Sequence, residues 1–153
     1  MKKFFQILLV CTFVIGCLCI TANAQDMWNE DVVYLEDMEH ELIDMSALDM
    51  LGEDTIARST KSISGTVAAY SHSISTEKIF LAERGIVTIN CSYSPSSASV
   101  DFGVIAPDGY FYFLNVEGGS INRSIKVNQS GSYAVAIRNN SSDTIYVAGF
   151  VNY

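Results

Sequence analysis

Residues 85–106 read GIVTINCSYSPSSASVDFGVIA, and this stretch decides the fold class. Val87, Ile89 and Cys91 alternate with small polar residues, and the alternation resumes at Val100 after a Pro- and Ser-rich interruption. A period of two is the side-chain period of a β-strand with one face buried. The stretch therefore predicts two consecutive strands joined by a turn, with the Cys91 thiol packed in the core as a small hydrophobe.

The same rhythm continues to the C-terminus. Turn sequences such as Pro107-Asp108-Gly109 and Glu117-Gly118-Gly119 separate the apolar runs, and no helical pattern interrupts them. Short strands spaced in this way are typical of an antiparallel β-sandwich or jelly roll. We therefore predict an all-β domain over residues 61–153, with about eight strands at residues 62–70, 76–81, 85–93, 99–106, 110–116, 120–127, 132–138 and 144–152.

The densest aromatic run is Tyr110-Phe111-Tyr112-Phe113. On a strand the two Phe side chains share one face and the two Tyr side chains share the other. We expect the Phe pair in the core. Tyr110 and Tyr112 then either cover a sheet edge or form a platform for a sugar ring or a peptide, and they are the candidate ligand-binding residues. Tyr146 and Phe150 are either a second exposed pair or part of the inner face.

The first 24 residues have the pattern of an export signal. Two lysines precede an apolar run, and Ala22 and Ala24 supply the small-x-small pattern that a signal peptidase requires, with cleavage expected before Gln25. The mature chain then has no membrane span and is secreted. An alternative is a lipid anchor on the cell membrane, because the residues before Cys17 resemble a bacterial lipobox.

Residues 25–60 form an acidic segment. Between residues 25 and 54 there are 11 acidic residues and no Lys or Arg. Apolar residues at spacings of three and four predict a helix over residues 31–50. The segment is a solvated tether, a pro-segment cut near Arg58 or Lys61, or an arm that attracts cations. It lacks the ligand spacing of a calcium loop.

Several chemistries find no support in the sequence. The formal net charge of −8 argues against nucleic acid as a partner. Neither His40 nor His72 belongs to a recognisable catalytic motif, and no metal-ligand or phosphate-binding pattern occurs. We expect no catalytic residue, no metal and no cofactor.

Three motifs resemble the pre-peptidase C-terminal domains of secreted bacterial proteins. Residues 81–89 are similar to their L-x-x-G-x-x-V-x-I strand, residues 101–109 to their D-L-x-L-x-x-P-D-G hairpin, and residues 131–137 to their G-T-Y-x-V-x-V strand. The resemblance spans residues 77–151. It implies a non-catalytic accessory sandwich, which in that family is usually attached to a protease. Here only the acidic segment precedes it.

These observations support three functional hypotheses. The leading one is a secreted, non-catalytic module that binds an extracellular glycan or protein or associates with the cell envelope. The alternative is a secreted partner or regulatory protein whose acidic segment is a pro-segment or a docking arm. The third is a small secreted hydrolase.

Overall fold

A computed structural model describes residues 32–43 and 59–153. The expected signal peptide, the cleavage site at Ala22, Ala24 and Gln25, the lipobox Cys17 and the cleavage candidate Arg58 lie outside the described residues. Among the residues that are described, no helix is long and apolar enough to cross a membrane.

Two mostly antiparallel sheets form the predicted β-sandwich. The strands are β1 (Val32–Tyr34), β2 (Glu39–Leu42), β3 (Thr60–Val67), β4 (His72–Ile74), β5 (Ile79–Leu81), β6 (Ile86–Ser94), β7 (Val100–Ile105), β8 (Tyr110–Val116), β9 (Ser120–Lys126), β10 (Gly131–Asn139) and β11 (Ile145–Asn152). The first sheet has the strand order β1-β9-β6-β11-β3, and the second has the order β2-β8-β7-β10-β4. Strand β5 also pairs with β10, at the beginning of that strand, whereas β4 pairs near its end.

The alternation read from the sequence gives the correct inner face. Val87, Ile89 and Cys91 of β6 are buried between the sheets, opposite Val100 and Phe102 of β7. Branched aliphatic and aromatic side chains fill the space between two pleated surfaces well, which is why these residues favour strands. The expected core position of Cys91 is confirmed.

Eleven strands are present in the described residues rather than about eight. The predicted strand over residues 62–70 ends at Val67, because a tight turn at residues 68–71 starts the short strand β4. The predicted strand over residues 76–81 is reduced to the three residues of β5.

The helix predicted over residues 31–50 is wrong for residues 32–43, which form β1, one turn of 3-10 helix (Leu35–Asp37) and β2. We call residues 32–43 the strap. Its β1 pairs in parallel with β9, and its β2 pairs antiparallel with β8. The single 3-10 turn gives Leu35 and Met38 their helix-like spacing and buries both in the core between the sheets.

The Phe pair that was expected in the core is buried, but it belongs to a second apolar cluster on the outer face of the second sheet, while Tyr112 and Leu114 of β8 pack against the core between the sheets. Phe111 and Phe113 stack there with ring centroids 5.1 Å apart and pack with Ile105. The Arg138 guanidinium lies 4.5 Å from the centre of the Phe113 ring. It also forms ion pairs with the buried Asp101 and with Glu41 of the strap. These contacts join the strap to β8 and β10.

Gly103 shows how closely β7 and β8 approach on this sheet. A Cβ added at Gly103 would meet the carbonyl oxygen of Tyr112 and would lie 2.8 Å from the Phe113 Cα. Backbone atoms cannot move aside as a flexible side chain can. Only glycine fits this position of β7.

Candidate functional site

The outer face of the first sheet carries a ladder of polar side chains. Residues directly opposite each other in paired strands point to the same face, and the pairing of β3, β11, β6 and β9 therefore places one set together. We call this set the polar face: Thr60, Ser62, Ser64, Thr66, Thr88, Asn90, Ser92, Ser94, Ser120, Asn122, Ser124, Tyr146, Ala148, Phe150 and Asn152.

Hydrogen bonds between strands order part of this ladder. Thr60 donates to the Asn152 side-chain oxygen at 2.7 Å. The hydroxyls of Thr88 and Ser124 are 2.8 Å apart. These bonds fix the side chains while one side of the sheet remains open to solvent.

Two aromatic rings protrude from the polar face. Tyr146 is 66% exposed and Phe150 is 41% exposed, and both lie on β11. Four residues of strand separate them by about 13 Å. Ala148 lies between them, and its short side chain leaves a shallow space between the two rings. Tyr146 therefore stands at one end of a shallow groove and Phe150 at the other.

Shallow depressions flank both rings along β11. One of about 420 Å³ lies beside Tyr146 and is bordered by Ser64 and Ser92. Another of about 380 Å³ lies beyond Phe150 and is bordered by Thr88 and Asn152. The lining of both offers hydroxyl, amide and backbone groups next to apolar surface.

The residues named for the polar face are uncharged, and the same register continues to one further pair, Ile86 and Lys126, which adds one lysine to this side of the sheet. Lys126 lies at its corner, where the Nζ atom is 5.4 Å from the centre of the Tyr34 ring. Lys61 extends from β3 to Glu77, with a distance of 2.6 Å between Nζ and Oε2. A ligand beside Tyr146 and Phe150 therefore meets hydrogen-bonding groups and aromatic rings, and the one lysine of this side of the sheet lies at the corner.

The structure brings Tyr110 and Tyr112, the candidates from the sequence, together at the edge where β8 meets the strap. Their ring centroids are 6.5 Å apart. His40 of the strap stacks on the Tyr112 ring at 5.2 Å. The Tyr112 hydroxyl donates to Asp108 at 2.8 Å. Burial, reinforced by Asp108, raises the pKa of Tyr112 to about 12. Protein groups thus occupy one ring face and the hydroxyl of Tyr112, while Tyr110 is 36% exposed.

Sequence reasoning left the orientation of Tyr146 and Phe150 open, and the structure places both outside. Ile145, Val147 and Val151 of the same strand are buried. The signal that could have found the polar face is the alternate set of Ser, Thr and Asn residues that recurs in β3, β6 and β9.

The residues with nucleophilic or basic side chains are dispersed. Burial raises the pKa of the Cys91 thiol to about 11. His40 lies among the rings described above, whereas His72 lies on β4, opposite Arg138 in the register. In the described part of the chain, no three His, Cys, Asp or Glu side chains are grouped so that they could hold a metal ion.

No family model matches the chain, and no curated protein matches it. The resemblance to pre-peptidase C-terminal domains stays a prediction.

Proposed function

We propose that the protein is an exported, non-catalytic binding module that holds a neutral glycan on the polar face. Tyr146 and Phe150 are the stacking residues. The observation that carries this proposal is the pair of exposed aromatic rings on β11, surrounded by the hydroxyl and amide groups of β3 and β6. The export part of the proposal rests on residues 1–24 of the sequence.

The chemistry of the surface fits a sugar. A pyranose ring has an apolar face of C–H groups that packs on an aromatic ring, and aromatic side chains offer a large, rigid contact area. Its hydroxyls both donate and accept, as do Ser, Thr and Asn side chains. A neutral glycan has no charge that would require a Lys, Arg or carboxylate partner.

The shape of the surface favours an extended ligand over a small compact one. The two depressions lie at different points along β11, one beside Tyr146 and Ala148 and the other beside Asn152. A small-molecule site is typically a concave cavity that buries most of its ligand. A polymer chain instead binds through repeated contacts along an open surface.

The test is retention of the chain from Gln25 onward on insoluble or gel-embedded polysaccharides: cellulose, chitin, β-glucan and starch as neutral probes, and alginate as an anionic probe. We expect retention on a neutral probe and none on alginate. Tyr146→Ala and Phe150→Ala should each weaken binding about twofold to tenfold, since one aromatic stacking contact contributes about 0.5–1.5 kcal/mol.

Tyr110→Ala is the matched control, because it removes the same exposed side chain from a different surface. If Tyr110→Ala abolishes binding and Tyr146→Ala does not, the site is the platform at β8 instead. If no glycan retains the protein at high concentration, the proposed function is wrong.

The strap favours a second candidate, a regulatory protein whose N-terminal segment docks onto a partner. Among the described strands, β2 pairs with β8 alone, and its residues are exposed. A Leu42→Cys, Tyr110→Cys disulfide would lock it, since these residues are directly opposite in the register. A partner that needs the strap released should bind the reduced protein and fail to bind the oxidised one.

A further inference from the structure

The turn between β3 and β4 holds a tyrosine in an unusual backbone conformation. The Ser71 amide donates to the Ala68 carbonyl at 3.3 Å and closes a four-residue turn with Tyr70 at its third position. Tyr70 has a φ of 51°. Glycine or asparagine is the usual residue there, since a Cβ is crowded in the left-handed region. A bulky aromatic residue at this position strains the backbone.

The buried side-chain amide of Asn139 holds this turn in place through hydrogen bonds to its backbone. The Asn139 side chain is inaccessible to solvent, and its Nδ2 atom lies within hydrogen-bond distance of the carbonyl oxygens of Val67, Ala68 and Asp143, at 3.2, 3.0 and 2.7 Å. Its Oδ1 atom accepts from the Ser141 amide at 2.9 Å. Asn139 thus ties the turn to the loop that precedes β11.

Packing of the tyrosine ring does not offset the strain. Tyr70 is 73% exposed, more than any other large apolar or aromatic residue that the structure describes as exposed. Its hydroxyl has no hydrogen bond to any residue in the described ranges. The fold therefore holds a strained residue rigidly and presents its ring to solvent. Backbone strain of this kind clusters at functional sites.

The position of the turn connects Tyr70 with the polar face. Thr66 lies directly opposite Tyr146 in the register, and Tyr70 follows Thr66 by four residues, a contour length of about 14 Å. The Tyr70 amide donates to the Ser141 carbonyl at 3.2 Å, in the loop that leads into β11. The turn thus lies where the chain crosses from β3 of the first sheet to β4 of the second, next to the end of the sheet that carries Tyr146.

We propose that Tyr70 is a third aromatic contact for the neutral glycan and extends the site beyond Tyr146, past the start of β11. This inference rests on the proposed function, and it specifies the ligand further as a chain long enough to pass Phe150, Tyr146 and Tyr70. A short oligosaccharide reaches only part of this line. The protein therefore binds longer chains more tightly than short ones.

The experiment uses Tyr70→Asn and Tyr70→Gly in the chain from Gln25 onward, with the neutral polysaccharide that retains the unchanged protein and a short oligosaccharide of the same sugar as probes. Both substitutions relieve the left-handed strain. We expect the melting temperature to stay unchanged or to rise by about 2–6 °C. Retention on the polymer should fall about twofold to tenfold, whereas binding of the short oligosaccharide stays unchanged.

The controls separate this inference from the proposed function. Tyr70→Phe keeps the ring and should keep binding. If Tyr146→Ala weakens retention while Tyr70→Asn and Tyr70→Gly do not, Tyr70 is not a contact and the proposed function stands. If no polysaccharide retains the unchanged protein, both proposals fall. A Tyr70→Asn variant that loses binding together with its melting transition also overturns the inference, because the side chain is then needed for folding.

Discussion

Replacement of Leu35 by alanine tests whether the strap is an integral part of the sandwich. Leu35 is only 1% exposed and belongs to the core cluster that both sheets share. Leu42 lies on the same strap and is 69% exposed. The same Leu→Ala substitution can therefore be made at a buried position, Leu35, and at an exposed position, Leu42, of the same segment.

The expected magnitudes differ severalfold. A Leu→Ala change in a filled core removes apolar contacts and leaves a cavity, at a cost of about 2–5 kcal/mol. At an exposed position the same change stays within about 0.5 kcal/mol. Since a domain of this size is stable by about 5–15 kcal/mol, Leu35→Ala should remove a large share of the total.

Urea unfolding followed by far-UV circular dichroism measures both variants against the unchanged protein. We expect a lower midpoint for Leu35→Ala with an unaltered slope, and no change for Leu42→Ala. Equal midpoints for all three proteins would refute the reasoning. The strap would then be a peripheral addition whose loss the sandwich tolerates.

Two further predictions concern the body of the sandwich. Gly103→Ala should lower the free energy of unfolding by about 3 kcal/mol or more, because the new Cβ meets the Tyr112 backbone. Gly65→Ala has no atom within 4 Å of the new Cβ, so it should leave the free energy of unfolding unchanged or raise it by up to about 1 kcal/mol. Thermal unfolding of the two variants checks this. Burial, reinforced by Asp108, raises the pKa of Tyr133 from 10.0 to about 12. The folded state holds this proton more tightly, so the resulting stability of about 2–3 kcal/mol is complete below pH 10 and is lost as the pH rises toward 12. Melting curves across this range should show the loss, and Tyr133→Phe should make it smaller.

The sandwich was predictable because its signal is local. Alternation with a period of two is written into β6 and β11, and the same pattern that buried Ile145 and Val147 left Tyr146 outside. The strap was not predictable in this way. Its β1 and β2 exist because β9 and β8 present unpaired edges, and a local pattern does not contain those distant partners.

The candidate site, too, was only partly predictable from local sequence patterns. The ladder of Ser, Thr and Asn was present in the sequence but becomes a surface only when the register of β3, β6, β9 and β11 aligns the strands. The conformation of Tyr70 has no signal in its neighbours. It depends on Asn139, which is 69 positions further along the chain.

The strap also closes the edges of the sandwich. Its strands β1 and β2 pair with β9 and β8, which would otherwise be edge strands of the two sheets. An uncovered edge strand presents free backbone groups that can pair with another molecule. We therefore expect a truncated product that starts after the strap to be prone to aggregation.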